Sequence, residues 1–149
     1  MSDVNGVEIL LVEDNMSDAE LTIRALKKNQ VVNNVLHVNS GQEALNFIFC
    51  QGPYENRNIH DIPRLVLLDL KMTGIDGLEV LRRVKQHQQT SVIPVVVLSS
   101  SREEKDILES YQLGANSYFV KPVDFETFLL AIAHLSIYWL QLNQLPRHA

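Results

Sequence analysis

With a single cysteine, Cys50, among 149 residues, the chain cannot form an internal disulfide, which fits a reducing compartment. There is no excess of positive charge: 13 Lys and Arg stand against 18 Asp and Glu, for a net charge of −5. That balance argues against a nucleic-acid partner, which usually needs a basic face. The N-terminal Met1-Ser2-Asp3-Val4-Asn5-Gly6 has no basic region followed by an apolar run, so no secretory leader is expected. No apolar stretch is read as approaching the ~18–20 residues of a membrane span; the expectation is a cytoplasmic protein without membrane contact. Internal repeats and low-complexity tracts are missing. The segment Glu13-Asp14-Asn15-Met16, after the first apolar run, has no glycine, which excludes a glycine-rich phosphate loop of the nucleotide-switch type. Histidines 37, 60, 87, 134 and 148 lack metal-ligand spacing, so no zinc site is expected.

What the chain does have is a recurring unit. The length suits one domain over residues 1–149, large enough to bury a core without staples. Short apolar runs recur at Glu8–Val12, Val35–Val38, Leu65–Leu68, Val92–Leu98 and Ser117–Val120. Three of them are apolar almost throughout, the mark of strands covered on both faces. Amphipathic segments follow each run. Ala19, Ile23 and Leu26, with Leu21 and Ala25, make one stripe; Leu78, Val80, Leu81 and Val84 make another. Ser40 with Glu43, and Ser101 with Glu104, read as capping boxes. The second precedes Ile107, Leu108 and Tyr111, with Gly114 placed to end that helix. Asp124 is placed to cap a last helix carrying Phe125, Phe128, Ile132 and Leu135. Five βα units predict an α/β, doubly wound parallel sheet with right-handed crossovers. Residues 51–64 form a long polar connection that reads as a surface loop.

In such a sheet, ligands sit beyond the carboxyl ends of the strands. Glu13 and Asp14 follow the first run, Asp69 the third, Ser99 the fourth, and Lys121-Pro122 the fifth. Taken singly, each has an ordinary reading: a solvated helix start for the acidic pair, a turn or cap for Asp69, a cap for Ser99, a turn for Lys-Pro. Together they place three carboxylates, a hydroxyl and an ammonium at one end of one sheet. Crowded carboxylates need a cation, and Mg²⁺ takes one or two carboxylates together with phosphate oxygens. Asp14 and Asp69 would ligate directly and Glu13 directly or through water. Asp69 then reads as a nucleophile that accepts a phosphoryl group, with Lys121 and the Ser99 hydroxyl covering further phosphoryl oxygens.

These stretches resemble the response-regulator receiver family, of flavodoxin-like fold with strand order 2-1-3-4-5. The resemblance runs over about residues 7–135. It is carried by Ile9-Leu10-Leu11-Val12-Glu13-Asp14-Asn15, by Leu67-Leu68-Asp69-Leu70 with Asp76-Gly77 after it, by Pro94–Ser100, and by Gly114–Pro122. It implies that Asp69 is the phosphoacceptor and that Glu13 and Asp14 hold Mg²⁺, with the Lys71 backbone carbonyl as a further ligand. Ser99 is implied as the switch hydroxyl, Lys121 as the lysine that pairs with the phosphoryl group, and Tyr118 as the switch aromatic. The bond from Lys121 to Pro122 is expected to be cis. Thr73 stands where the family usually has proline, four residues after the phosphoacceptor, which loosens the following loop without removing a ligand.

A narrower resemblance comes from the C-terminus. Ile132, Leu135, Tyr138, Trp139 and Leu142 recur at helical spacing, so the last helix is expected to run past the usual receiver end. With the long 51–64 loop, the chain resembles the stand-alone response regulators of cyanobacterial phytochromes. That implies a histidine kinase of phytochrome type as partner, a homodimer through the last helix, and output by protein contact. The chain is not expected to be an enzyme beyond its own phosphorylation and dephosphorylation. An aspartyl phosphatase of the haloacid-dehalogenase class would need a second Asp at position 71, which is Lys71. A receiver-like module that binds partners without phosphorylation stays open as the alternative.

Overall fold

The strands form where the apolar runs predict them: β1 (Ile9–Val12), β2 (Val35–Val38), β3 (Leu65–Leu68), β4 (Val95–Ser99) and β5 (Ser117–Val120). They belong to a computed structural model that describes residues 4–121 and 124–146. Every residue of β1, β3 and β4 is buried, as a strand covered on both faces requires. All pairs are parallel and the order is β2-β1-β3-β4-β5, the expected topology. β4 starts later than its apolar run, because Pro94 has no N–H for the ladder and the Ile93 N–H closes a turn on the Thr90 carbonyl at 3.0 Å.

The helices are α1 (Met16–Lys27), α2 (Gly41–Ile48), α3 (Gly77–Gln86), α4 (Glu104–Gln112) and α5 (Phe125–Ile137). Asn15, Ser40, Asp76 and Asp124 cap four of them, each side chain accepting a first-turn N–H. Alternate strand residues divide the core. Leu10, Val12, Val66, Leu68, Val95 and Val97 meet α2 and α3. Ile9, Leu11, Leu65, Leu67, Val96 and Leu98 meet α1 and α5. The carboxyl ends of β1, β3 and β5 therefore lie at one edge of the sheet, beside the point where the strand order reverses.

Four expectations change. The Ser101–Glu104 capping box does not form: α4 begins at Glu104 with no side-chain cap, because the Ser101 hydroxyl accepts the Glu103 N–H at 3.2 Å in place of Glu104 and donates to the Asp106 carboxylate at 2.6 Å. Helix α4 also turns Asp106 and Ser110 inward and leaves Leu108 and Tyr111 exposed, while on α1 Leu21 is exposed and Thr22 buried. Residues 51–64 are more than a solvated loop. They contain a short 3₁₀ turn (Gly52–Tyr54) and the buried Arg57, whose guanidinium lies 3.8 Å over the Phe47 ring. Finally, α5 continues as a π-helical turn over Tyr138–Leu142, and the whole stretch Phe125–Leu142 is long and apolar enough to cross a membrane, with a mean hydropathy of 1.3. That corrects the reading that no run comes near a span. The stretch carries one charged residue, Glu126; Phe128, Ile132 and Leu140 pack into the core, and Arg64 donates to the Leu140 carbonyl at 2.8 Å.

Candidate functional site

Each acidic residue of the site is fixed by the strand that ends just before it. The Glu13 N–H donates to the Val38 carbonyl at 3.1 Å and the Asp69 N–H to the Val12 carbonyl at 3.1 Å, so both continue the ladder beyond the strand ends. One carboxylate oxygen from each of Glu13, Asp14 and Asp69 falls within 4.8 Å of the others. Glu13 and Asp69 are buried and Asp14 half-buried. The Asn15 N–H donates to Glu13 Oε2 at 3.2 Å, and the Thr73 N–H donates to Asp14 Oδ2 at 3.3 Å. The departure at Thr73 therefore adds a donor that proline could not supply.

Lys121 enters from the end of β5, its N–H held by the Ser99 carbonyl at 2.8 Å. Its ammonium lies 2.8 Å from Glu13 Oε1, 3.1 Å from Asp18 Oδ2 and 4.0 Å from Asp69 Oδ1. Burial works against that charge, but the carboxylates of Glu13, Asp69 and Asp18 outweigh it and hold the lysine above its ordinary value. One ammonium does not neutralise the cluster. Burial, and then the Glu13 carboxylate, push Asp69 up to about 7, against the pull of Lys121. A group of hard oxygen donors that repel one another in a partly dry site fits a divalent cation, whose charge would remove the repulsion.

Ser99 is fully buried at the end of β4, and its hydroxyl accepts the Ser101 N–H at 3.1 Å. Tyr118 is half-buried, with its hydroxyl donating to the Ser101 carbonyl at 3.0 Å. Both switch candidates thus grip the same residue of the β4–α4 loop. The Lys71 side chain leaves the cluster and reaches Asp106 Oδ2 at 3.4 Å. Pro122, and with it the expected cis bond, lies outside the described residues. Two participants were missed in the sequence. Asp18, in the first turn of α1, joins the site through Lys121 of the distant β5 end, a pairing that no local spacing announces. Asp106 left no signal, because its link to Ser101 and Lys71 joins three separate segments.

The comparisons with known proteins agree with this geometry. Residues 9–133 match the response regulator receiver domain. Response regulator Rcp1 of Synechocystis is 36% identical over 138 residues, covering 93% of this chain and 92% of that protein; its Mn²⁺-bound form superposes with a TM-score of 0.84 over 94% of this chain and 99% of that one. The phosphorylated cyanobacterial phytochrome response regulator RcpA is 37% identical, with a TM-score of 0.86 over 94% of this chain and 98% of that one. The bacteriophytochrome response regulator AtBRR is 50% identical, with a TM-score of 0.73 over 93% and 98%. A five-stranded sheet in 2-1-3-4-5 order, an acidic cluster at its switch point and these likenesses together make the chain a member of the response regulator receiver domain family, the receiver of two-component signalling.

Proposed function

We propose that Asp69 accepts a phosphoryl group from a histidine kinase in a Mg²⁺-dependent reaction, and that the resulting change is read by a protein partner. The observation that carries this reading is the convergence of Glu13, Asp14 and Asp69 within 4.8 Å with the Lys121 ammonium beside them. Glu13, Asp14, Asp69 and the Lys71 backbone carbonyl would hold Mg²⁺, which when bound neutralises carboxylate charge and charge on a phosphoryl oxygen. An Asp69 oxygen forms the new P–O bond while the P–N bond of the donor phosphohistidine breaks, its electron pair leaving with the imidazole nitrogen. Lys121 pairs with a second phosphoryl oxygen and the Ser99 hydroxyl donates to a third. Moving Ser99 toward the phosphoryl group releases the Ser101 N–H, and Tyr118, tied to the same residue, repacks.

This role is signalling, with self-phosphorylation and self-dephosphorylation the chain's own chemistry, and we place it in the cytoplasm. The likenesses to RcpA and AtBRR support a kinase of phytochrome type. Leu130, Ile137, Tyr138 and Leu142 expose apolar surface along the last helix, which supports a homodimer through that face. Sedimentation at tens of micromolar should show a dimer that Leu142→Glu with Ile137→Glu converts to monomer; a wild-type monomer with and without phosphorylation removes the dimer from the reading.

The decisive experiment is intact mass after incubation with Mg²⁺ and a small phosphodonor, for wild type and Asp69→Asn. One added phosphoryl group in the wild type, lost on adding EDTA beforehand and absent from the variant, is the expected result. No adduct, with candidate histidine kinases included, would favour a receiver-like module that binds partners without phosphorylation.

A further inference from the structure

The carbonyl of Glu13 belongs to the peptide that joins the two acidic residues, and it sits where the β1–β2 ladder ends. In a parallel pair the acceptors of one strand are met in turn by N–H groups of its neighbour. The β1–β2 register runs from Ile9↔Val35 to Val12↔Val38, and the Glu13 N–H still reaches Val38. The next rung would come from Ser40, but there the chain turns away to cap α2, with the Ser40 hydroxyl accepting the Glu43 N–H at 3.0 Å. The place of that rung is taken by a side chain. His37, on β2, puts Nε2 2.8 Å from the Glu13 carbonyl oxygen. A carbonyl only accepts, so Nε2 carries the proton.

We infer that His37 is a positioning residue for the metal-binding acidic pair: its Nε2–H holds the Glu13–Asp14 peptide in the orientation that turns both carboxylates toward Asp69. The inference rests on the proposed Mg²⁺ site. Each end of the pair is held separately. The Asn15 N–H fixes the Glu13 carboxylate and the Thr73 N–H touches the Asp14 carboxylate. The peptide plane between them has the imidazole as its hold from the neighbouring strand. A peptide that rotates carries the Asp14 side chain with it, and a hard, small cation tolerates little departure from its preferred geometry. Groups that orient metal ligands in this way change affinity by roughly 10–100-fold when removed. Because His37 acts through the backbone rather than on a ligand oxygen, the lower end of that range applies.

The test is Mg²⁺ titration by calorimetry on the full chain, with urea unfolding run on the same samples. His37→Phe keeps a ring of similar size and removes the donor; its Mg²⁺ affinity should fall about tenfold. His37→Gln places an amide N–H near the position of Nε2 and should restore affinity to within about threefold of wild type, while His37→Asn, equally polar but too short, should not. If His37→Phe does not fold, the Gln and Asn pair decides the matter alone. A role confined to stability would lower the urea midpoint and leave the affinity within about twofold, and that result overturns the inference. Absence of Mg²⁺ binding by the wild type would instead count against the proposed site itself.

Discussion

The hydrogen that Gly77 carries in place of a side chain faces the backbone that bears Asp69. A Cβ there would overlap the Asp69 carbonyl oxygen and come 2.7 Å from Leu70 Cα. Neither atom is the end of a flexible side chain, so α3 or the end of β3 would have to move. Gly77→Ala is expected to cost about 1–3 kcal/mol, read as a lower urea midpoint, and to weaken Mg²⁺ binding as well, since the displaced backbone is that of the proposed ligand Asp69. An unchanged affinity would show that α3 gives way and the strand does not. Lys85 offers a residue-scale prediction with a pH signature. Its ammonium donates to the carbonyls of Ser91 and Ile93 and to Asn116 Oδ1, at 3.0, 2.6 and 3.0 Å, yet burial pushes it down to about 8 from 10.5. Between those values the unfolded chain keeps a proton that the folded chain has given up, so the stability this group contributes rises with pH across that window. Lys85→Met should cost about 1–3 kcal/mol through its unpaired acceptors, and the gap to wild type should widen from pH 8 to pH 10. At this scale the placement of Glu13, Asp14, Asp69, Ser99 and Lys121 at the strand ends was legible, because each follows or ends an apolar run. Asp18 and His37 were not, since their partners are set by how α1 and β2 lie against the strand ends.

Helices were legible as elements and less so as faces. Periodicity assigned Leu108 and Tyr111 to the inner side of α4, but the Ser101–Asp106–Lys71 cluster rotates Asp106 and Ser110 inward. Polar contacts between distant segments outrank a weak apolar stripe, and a period count cannot register them. The connection over residues 51–64 went the same way. Its polar composition concealed Arg57, which donates to the carbonyls of Phe47, Asp61 and Val4 and stacks on the Phe47 ring. This one side chain ties the loop to the end of α2 and to the N-terminal segment. Arg57→Ala should therefore cost about 1–3 kcal/mol, since buried carbonyls lose their donor, and should open residues 51–64 to limited proteolysis while phosphorylation of Asp69 proceeds. Arg57→Lys should recover little, because the carbonyls of Val4, Phe47 and Asp61 are met by three different nitrogens of the planar fork, and an ammonium gathers its donors on one atom. If the alanine variant matches wild type in both protease resistance and urea midpoint, the loop is held by its 3₁₀ turn and not by the arginine.

The whole molecule was the most legible level: five βα units, three fully buried central strands and the position of the site at the strand ends follow from the order of apolar runs and the crossover rule. That architecture carries a cost, because it converges three carboxylates on one edge with a single ammonium to oppose them. The repulsion is a property of the folded state, since the unfolded chain separates Glu13 and Asp14 from Asp69 by more than fifty residues. A divalent cation that relieves it binds the folded chain and has little to bind in the unfolded one. Stability should then rise with the logarithm of Mg²⁺ concentration, by about 2.7 kcal/mol at a hundredfold excess over Kd. For a domain of this size about 1 kcal/mol moves Tm by roughly 2–4 °C, so the expected shift is roughly 5–10 °C, reversed by EDTA. Asp14→Asn should behave differently from wild type in both conditions. Without metal it should melt at or above the wild-type temperature, because one repelling charge is gone, and with Mg²⁺ it should gain little. If Tm is indifferent to Mg²⁺, or if Asp14→Asn lowers it in EDTA, the carboxylates are stabilised by contacts within the fold and the cluster is not held open for a cation.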